Sequence, residues 1–205
     1  MLVIMWKYLR QGWVITRSAW VRALNYRMTF VMYRVGELIE TLIVVLMWSA
    51  IYSSGSGTIR GFTLNEMITY LLIGYLCTVV VRNFLPTFVS RDINHGTLSM
   101  FLVKPISYIR YVFFNEIGRI ALIVFMSVAM QFLVIFLFFD RVVVNTDPAY
   151  LALIVIMVFF AFVIEWLIGF LIGTIAFWTD EVDGIQSTLD RIKKFFAGAY
   201  FPLSL

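Results

Sequence analysis

One carboxylate, Glu165, lies deep inside a long apolar run of the sequence. A carboxylate at the middle of a bilayer is costly and by default marks a functional position. Gly169 and Gly173 follow four and eight residues later, on the same helical face, with the GxxxG spacing of close helix packing. Two interpretations stay open. Glu165 faces a substrate path or pairs with a cation on a neighbouring helix, or it is protonated or hydrogen-bonded inside a structural interface.

The other residue types that catalysis needs are scarce. His95 is the single histidine and Cys77 the single cysteine, which excludes a paired-histidine metal site, a cysteine cluster and an intramolecular disulfide. The sequence contains neither a P-loop nor a GxSxG motif. An intramembrane carboxylate dyad needs two acids at matched depth, and Glu165 has no such companion. We therefore predict that this chain is not an enzyme and binds no metal or cofactor itself.

A polar stretch from Ser90 to Tyr108 separates two apolar runs and is interrupted by Gly96. The residues Leu98, Phe101 and Leu102 have the spacing of one apolar helix face. A short amphipathic helix in a loop between spans favours docking of a soluble partner. A linker that lies on the membrane is the alternative.

A second amphipathic pattern follows Trp178. Its apolar residues recur at alternating steps of three and four, at Val182, Ile185, Leu189, Ile192 and Phe196. Its other face carries Asp183, Gln186, Asp190, Lys193 and Lys194. Each charge at mid-bilayer costs roughly 2.5–3.5 kcal/mol on insertion scales. The polar stripe therefore predicts either a helix on the cytoplasmic membrane surface or a helix that lines a path and is sheltered by a partner.

The elements that hold these residues are predicted to be membrane helices, in an all-α integral membrane protein. Of 205 residues, 62% are hydrophobic and 14% charged, whereas soluble domains carry about 25% charge. The apolar runs are continuous rather than alternating, which favours helices of about 20 residues over a barrel. Thr63 and Glu66 have capping-box spacing at the start of one run. The predicted spans are 35–53, 64–85, 116–139 and 149–177, with 86–112 as the segment after the second.

The two ends of this single transmembrane domain, 1–205, differ from its centre. Residues 1–28 space Trp6, Trp13 and Trp20 by seven and mix them with basic residues, which favours an interfacial helix. A soluble helix packed on the body is the alternative. Residues 182–205 form a fifth, amphipathic element that turns apolar after Lys194.

The distribution of Lys and Arg predicts the orientation. With the N-terminus in the cytoplasm, fourteen basic residues fall inside, in 1–34, 82–119 and 179–194, and only Arg60 and Arg141 fall outside. Cytoplasmic loops carry the excess of Lys and Arg, so this split predicts a cytoplasmic N-terminus. The basic residues do not form the cluster that binds nucleic acid, so no nucleic-acid partner is expected. As a membrane protein, the chain is expected to contact lipid.

The polar segment between the second and third spans resembles the coupling segment of ABC type-2 permeases, the membrane subunits of ATP-driven exporters. The matching run is Asp92, Gly96-Thr97-Leu98, Leu102 and Lys104-Pro105-Ile106. The N-terminal helix is similar to the connecting helix of this family. Residues 197–203 resemble the beginning of a re-entrant hairpin after the family's fifth helix. Members continue with that hairpin and a sixth helix, so the chain is expected to be a fragment or a truncated member.

The resemblance implies a permease subunit of a bacterial ABC exporter of the two-permease subgroup, in the inner (plasma) membrane. A cytoplasmic ABC ATPase dimer would bind ATP and Mg, and a second permease subunit, different or identical, would complete the path. Closure of the ATPase would push the segment 90–106 and tilt the second and third helices as a lever. The residues implied in ATPase coupling are Arg91, Asp92, Gly96, Thr97, Leu98, Phe101, Leu102, Lys104 and Pro105. Those assigned to the path or to helix packing are Glu165, Gly169, Gly173, Asp183 and Asp190.

Two other functions remain as alternatives. A secondary transporter driven by an ion gradient would need discontinuous helices and several polar groups at the midplane, of which the sequence offers Glu165. A membrane scaffold without transport would hold a partner but would show no ATPase activity that depends on a substrate.

Overall fold

The computed structural model describes residues 2–25, 27–55, 58–138, 142, 147–198 and 201–202. These residues form helices apart from one short hairpin and the connecting turns. The helices are α1 (Leu2–Asn25), α2 (Arg27–Ser53), α3 (Leu64–Val81), α4 (Leu85–Asn94), α5 (Thr97–Leu102), α6 (Tyr108–Leu137), α7 (Pro148–Thr174) and α8 (Asp183–Phe196). The strands β1 (Thr58–Ile59) and β2 (Phe62–Thr63) pair antiparallel, and a 3-10 turn, Ile175–Phe177, follows α7.

Among the described residues, four helical stretches are long and apolar enough to cross a membrane, which agrees with the four predicted spans. They are Val31–Ser53, Leu64–Asn94, Tyr108–Phe136 and Pro148–Phe177. The third begins eight residues earlier than position 116, because nothing between Tyr108 and Glu116 breaks the helix. The second is interrupted at residues 82–84, where the chain leaves the helical conformation before Pro86.

Local signals in the sequence account for two helix starts. The Thr63 N–H donates to Glu66 Oε2 at 2.8 Å, and the Glu66 N–H lies 3.4 Å from Thr63 Oγ1, which confirms the capping box before α3. At α7, the Ala149 N–H donates to Asp147 Oδ1 at 3.0 Å. The hairpin before α3 was not predicted. Its two-residue turn takes positive φ at both central positions, the backbone that twisted two-strand ribbons favour.

The chain folds into two compact units. One unit comprises residues 1–28, 82–123 and 163–188, and its core holds Leu85, Val89 and Val112. The other comprises residues 29–81, 124–162 and 189–205. Its buried core cluster contains Val45, Trp48, Tyr52, Met67, Ile68, Leu71, Leu72 and Val134.

In the first unit, α1 packs against the start of α6 through small residues. A Cβ on Gly118 would lie 2.7 Å from the Thr16 carbonyl oxygen, so the two backbones approach closely. The Thr16 hydroxyl donates to the Phe114 carbonyl at 3.1 Å. Trp6 and Trp13 lie away from this contact, 72% and 67% exposed. Exposed tryptophans agree with an interfacial helix, which stays a prediction.

Candidate coupling site

The segment after the second span forms a helix–turn–helix of α4 and α5. Gly96 joins the two helices with φ = 69°, in the left-handed region. A side chain there is strained whatever the space around it, so glycine permits the sharp turn. The sequence thus places a break between a helix that continues the membrane span and a six-residue helix outside it.

Leu98 and Phe101, two of the three residues of the predicted apolar face, are partly buried. Phe101 packs against the rings of Tyr108 and Tyr111, with centroids 5.3 and 4.6 Å apart, and Lys104 Nζ lies 4.6 Å from its centroid. Met100 and Val103 are the exposed residues instead, at 58% and 88%. Phe101 therefore lies on the side of α5 that faces the start of α6.

The remaining predicted coupling residues take separate places. Leu98 and Thr97 are partly buried in the first turn of α5, while the side chain of Leu102 lies outside the described residues. Asp92 accepts a hydrogen bond from the Tyr108 hydroxyl at 3.0 Å, which ties α4 to α6. Arg91 and Pro105 are exposed.

The GxxxG pair on α7 is covered by the chain around α4. A Cβ on Gly169 would lie 2.7 Å from Asn83 Oδ1, and a Cβ on Gly173 would lie 2.6 Å from Val89 Cβ. Glu165 is partly buried one turn earlier, and its backbone carbonyl accepts a hydrogen bond from Asn83 Nδ2 at 2.7 Å. The structure therefore places both glycines in a helix contact.

The two acids of the second amphipathic pattern contact different partners. Asp183 Oδ1 lies 2.9 Å from the Thr87 hydroxyl, at the first residue of α8. Asp190 pairs with Lys193 at 2.9 Å on an exposed turn of α8. No residue of α8 is buried, and its apolar positions Ile192 and Phe196 are 48% and 70% exposed. Ile192 and Phe196 are thus open to lipid or to another protein, whereas Val182, just before the helix, is 2% exposed.

The other unit contains a buried ionic cluster. Arg34 Nη1 lies 2.5 Å from Glu37 Oε2, with the two side chains 5% and 9% exposed. Arg34 also donates to Ser127 Oγ at 2.7 Å, and the Tyr75 hydroxyl donates to Glu37 Oε2 at 2.7 Å. Three helices thus meet at one ion pair inside the candidate spans.

The sequence did contain a signal for this burial. Arg34, Glu37 and Thr41 precede Val45 and Trp48 at steps of three and four residues, and all five side chains are buried. The two charges therefore continue the core-facing side of α2 rather than its solvated end. A related pair lies in the first unit, where Glu116 is 2% exposed and binds Arg119.

The comparison with known families agrees with this architecture. The sequence profile described as ABC-2 family transporter protein matches residues 38–204, which is most of the chain. A search of curated proteins finds no similar chain. A search of solved structures finds none either. With its apolar helices and a match over that range, the chain belongs to the ABC-2 family of transporter proteins, as a multi-pass membrane component that is not itself catalytic.

Proposed function

We propose that the chain is the permease subunit of an ATP-driven exporter in a bacterial plasma membrane. ATP and Mg would bind to a separate cytoplasmic ATPase dimer, and a second permease subunit, different or identical, would complete the translocation path. Membership of the ABC-2 family supports this proposal. ATP is assigned to a partner subunit because the given sequence contains no P-loop. A secondary transporter or a plain scaffold agrees less well with that membership.

The observation that carries the proposal is the exposed surface of the α4–α5 segment. Met100 and Val103 project apolar side chains from a helix–turn–helix between two candidate spans. The two residues are three positions apart and so share one side of the segment, and exposed apolar side chains on one side can form part of a protein contact. Lys104 and Arg91 supply positive charge on the same segment. The ATPase is proposed to dock on this surface, from the cytoplasm.

The proposed orientation rests on charge. The two units contribute fourteen basic residues to the segments assigned to the cytoplasm and two to those outside. The α4–α5 segment then lies on the cytoplasmic side, where an ATPase would meet it. The hairpin of β1 and β2 lies on the external side in the same arrangement.

The exposed apolar residues of α8 support the proposal that this helix contacts a second permease subunit. We assign Asp183 and Asp190 to the inner mouth of the path between the two subunits, whereas Glu165 on α7 would lie deeper, along the path or in a helix contact. Changing both aspartates to asparagine is expected to alter transport in reconstituted vesicles without lowering insertion. The double variant Ser53→Asn and Ser54→Asn, at the exposed end of α2, is the control. Unchanged transport over several amphipathic substrates would instead place α8 on the membrane surface.

The docking proposal is tested with single substitutions. Met100→Asp and Val103→Asp should each abolish co-purification of a P-loop ATPase while the chain still inserts into the membrane. Ser107→Asp, at an exposed position of the same segment, is the control. An ATPase that co-purifies undiminished with both variants would show that it docks elsewhere or that the chain has no such partner.

A further inference from the structure

The side chain of Asn83, inside the break in the second span, forms hydrogen bonds to both α4 and α7. Residues 82–84 leave the helical conformation, and Asn83 at their centre is 4% exposed. Its Oδ1 accepts a hydrogen bond from the Leu85 N–H at 3.2 Å, at the start of α4. Its Nδ2 donates to the Glu165 carbonyl at 2.7 Å, in the middle of α7. The amide is therefore fixed at both ends, between two helices.

Gly169 provides the space for this amide. The three atoms nearest to a Cβ placed on Gly169 all belong to Asn83, at 2.7, 2.9 and 3.1 Å. A side chain at Gly169 would thus expel the Asn83 amide and break both of its hydrogen bonds. Glycine at position 169 therefore makes room for the Asn83 side chain in particular.

Further contacts continue along α4, a helix of ten residues. Val89 fills the space above Gly173, where an added Cβ would lie 2.6 Å away. Thr87 lies 2.9 Å from Asp183, and Asn94 Nδ2 donates to the Asp180 carbonyl at 2.8 Å. All these partners lie between residues 165 and 183, so α4 is attached to that stretch at its beginning, its middle and its end.

We propose that Asn83 is a positioning residue that locks α4 to α7, so that α4 and residues 165–183 move as one body. Displacement of the segment by an ATPase is then passed to the end of α7 and the start of α8. From the sequence, we expected the second and third helices to tilt when the segment is pushed. The contacts of α4 imply that the fourth span, α7, moves with the segment as well. This inference rests on the proposed function.

The experiment measures one distance in two nucleotide states. Spin labels replace His95, at the end of α4, and Trp178, after α7, both of which are exposed, in a cysteine-free chain with its ATPase. Double electron–electron resonance is recorded without nucleotide and with Mg-ATP trapped by vanadate. The lock predicts the same mean distance in both states. A mean distance that changes with nucleotide in the unsubstituted chain would overturn it.

Substitutions test whether Asn83 is the lock. Gly169→Ala and Asn83→Ala should each broaden the distance distribution and make its mean depend on nucleotide. The double variant should be no worse than Asn83→Ala alone, because the space for the alanine is then vacant. Gly74→Ala, where an added Cβ meets nothing within 4 Å, is the control. Wild-type behaviour of Gly169→Ala, or additive effects in the double variant, would contradict the assignment.

A fluorescent probe on Val103 separates this inference from the proposed function. Its emission should change when the ATPase is added, whatever the state of the lock. If the probe responds and the labelled distance varies, the lock is wrong and ATPase docking stands. If the probe does not respond, docking at this segment fails, and the lock fails with it.

Discussion

The ion pair of Arg34 and Glu37 offers a quantitative test of the buried cluster. Glu37→Leu removes the negative partner from a guanidinium whose side chain is 5% exposed. Loss of one member of a buried pair costs about 3–5 kcal/mol, because the remaining charge stays desolvated. An exposed pair contributes about 0–1 kcal/mol. The burial of both side chains in the structure predicts the larger value.

Two further variants separate charge from hydrogen bonding. Tyr75→Phe removes only the hydroxyl that donates to Glu37 at 2.7 Å. Hydrogen bonds between membrane helices average about 0.6 kcal/mol in double-mutant cycles, so this variant should cost much less than Glu37→Leu. The double variant Arg34→Met and Glu37→Leu removes both charges. It should recover most of the lost stability, since apolar replacement of a whole buried pair is often neutral.

The assay is equilibrium unfolding of the purified chain in mixed micelles of mild detergent and SDS, followed by circular dichroism. The free energies of unfolding of the wild type, the two single variants at Arg34 and Glu37 and the double variant form a thermodynamic cycle. If Glu37→Leu costs no more than Tyr75→Phe, or if the effects at Arg34 and Glu37 simply add, the pair is solvated and the described burial is wrong.

Two more predictions concern topology and packing. Thr58→Cys, in the hairpin, should react with a membrane-impermeant maleimide in intact cells, whereas His95→Cys should react only after permeabilisation; the reverse pattern would invert the proposed orientation. Gly118→Ala should destabilise the chain by about 1–3 kcal/mol through overpacking, because the added Cβ would lie 2.7 Å from the Thr16 backbone oxygen. Gly74→Ala, in open space, is the matched control, and equal thermal unfolding midpoints for the two alanine variants would refute the close contact.

Spans and caps were predictable because they depend on local sequence. Continuous apolar runs gave the four spans, and the spacing of Thr63 and Glu66 gave the start of α3. The break at residues 82–84 was not predicted. It depends on Asn83 finding the Glu165 carbonyl, which is distant in sequence. A polar residue shortly before Pro86 is, on its own, only a weak indication of a break in the helix.

The candidate site was predictable in position but not in orientation. The turn at Gly96 and the short helix after it lie where the pattern indicated, whereas the helix before it, α4, was not predicted. The exposed face of α5 is set by the rings of Tyr108 and Tyr111, which hold Phe101 inward. Helical spacing shows which residues share a face, but not which face another helix covers. The same limit explains Arg34 and Glu37, whose spacing suits a surface pair as well as a buried one.

Site-specific photo-crosslinking from Val103 tests the central claim most directly. A benzoylphenylalanine at this position, 88% exposed, is activated in membranes of the native host, and the crosslinked partner is sequenced by mass spectrometry. The account predicts a partner with a P-loop, and loss of that crosslink when Met100→Asp is added. Crosslinks to lipid alone, or to a partner without a nucleotide-binding motif, would contradict docking of an ATPase on the α4–α5 segment.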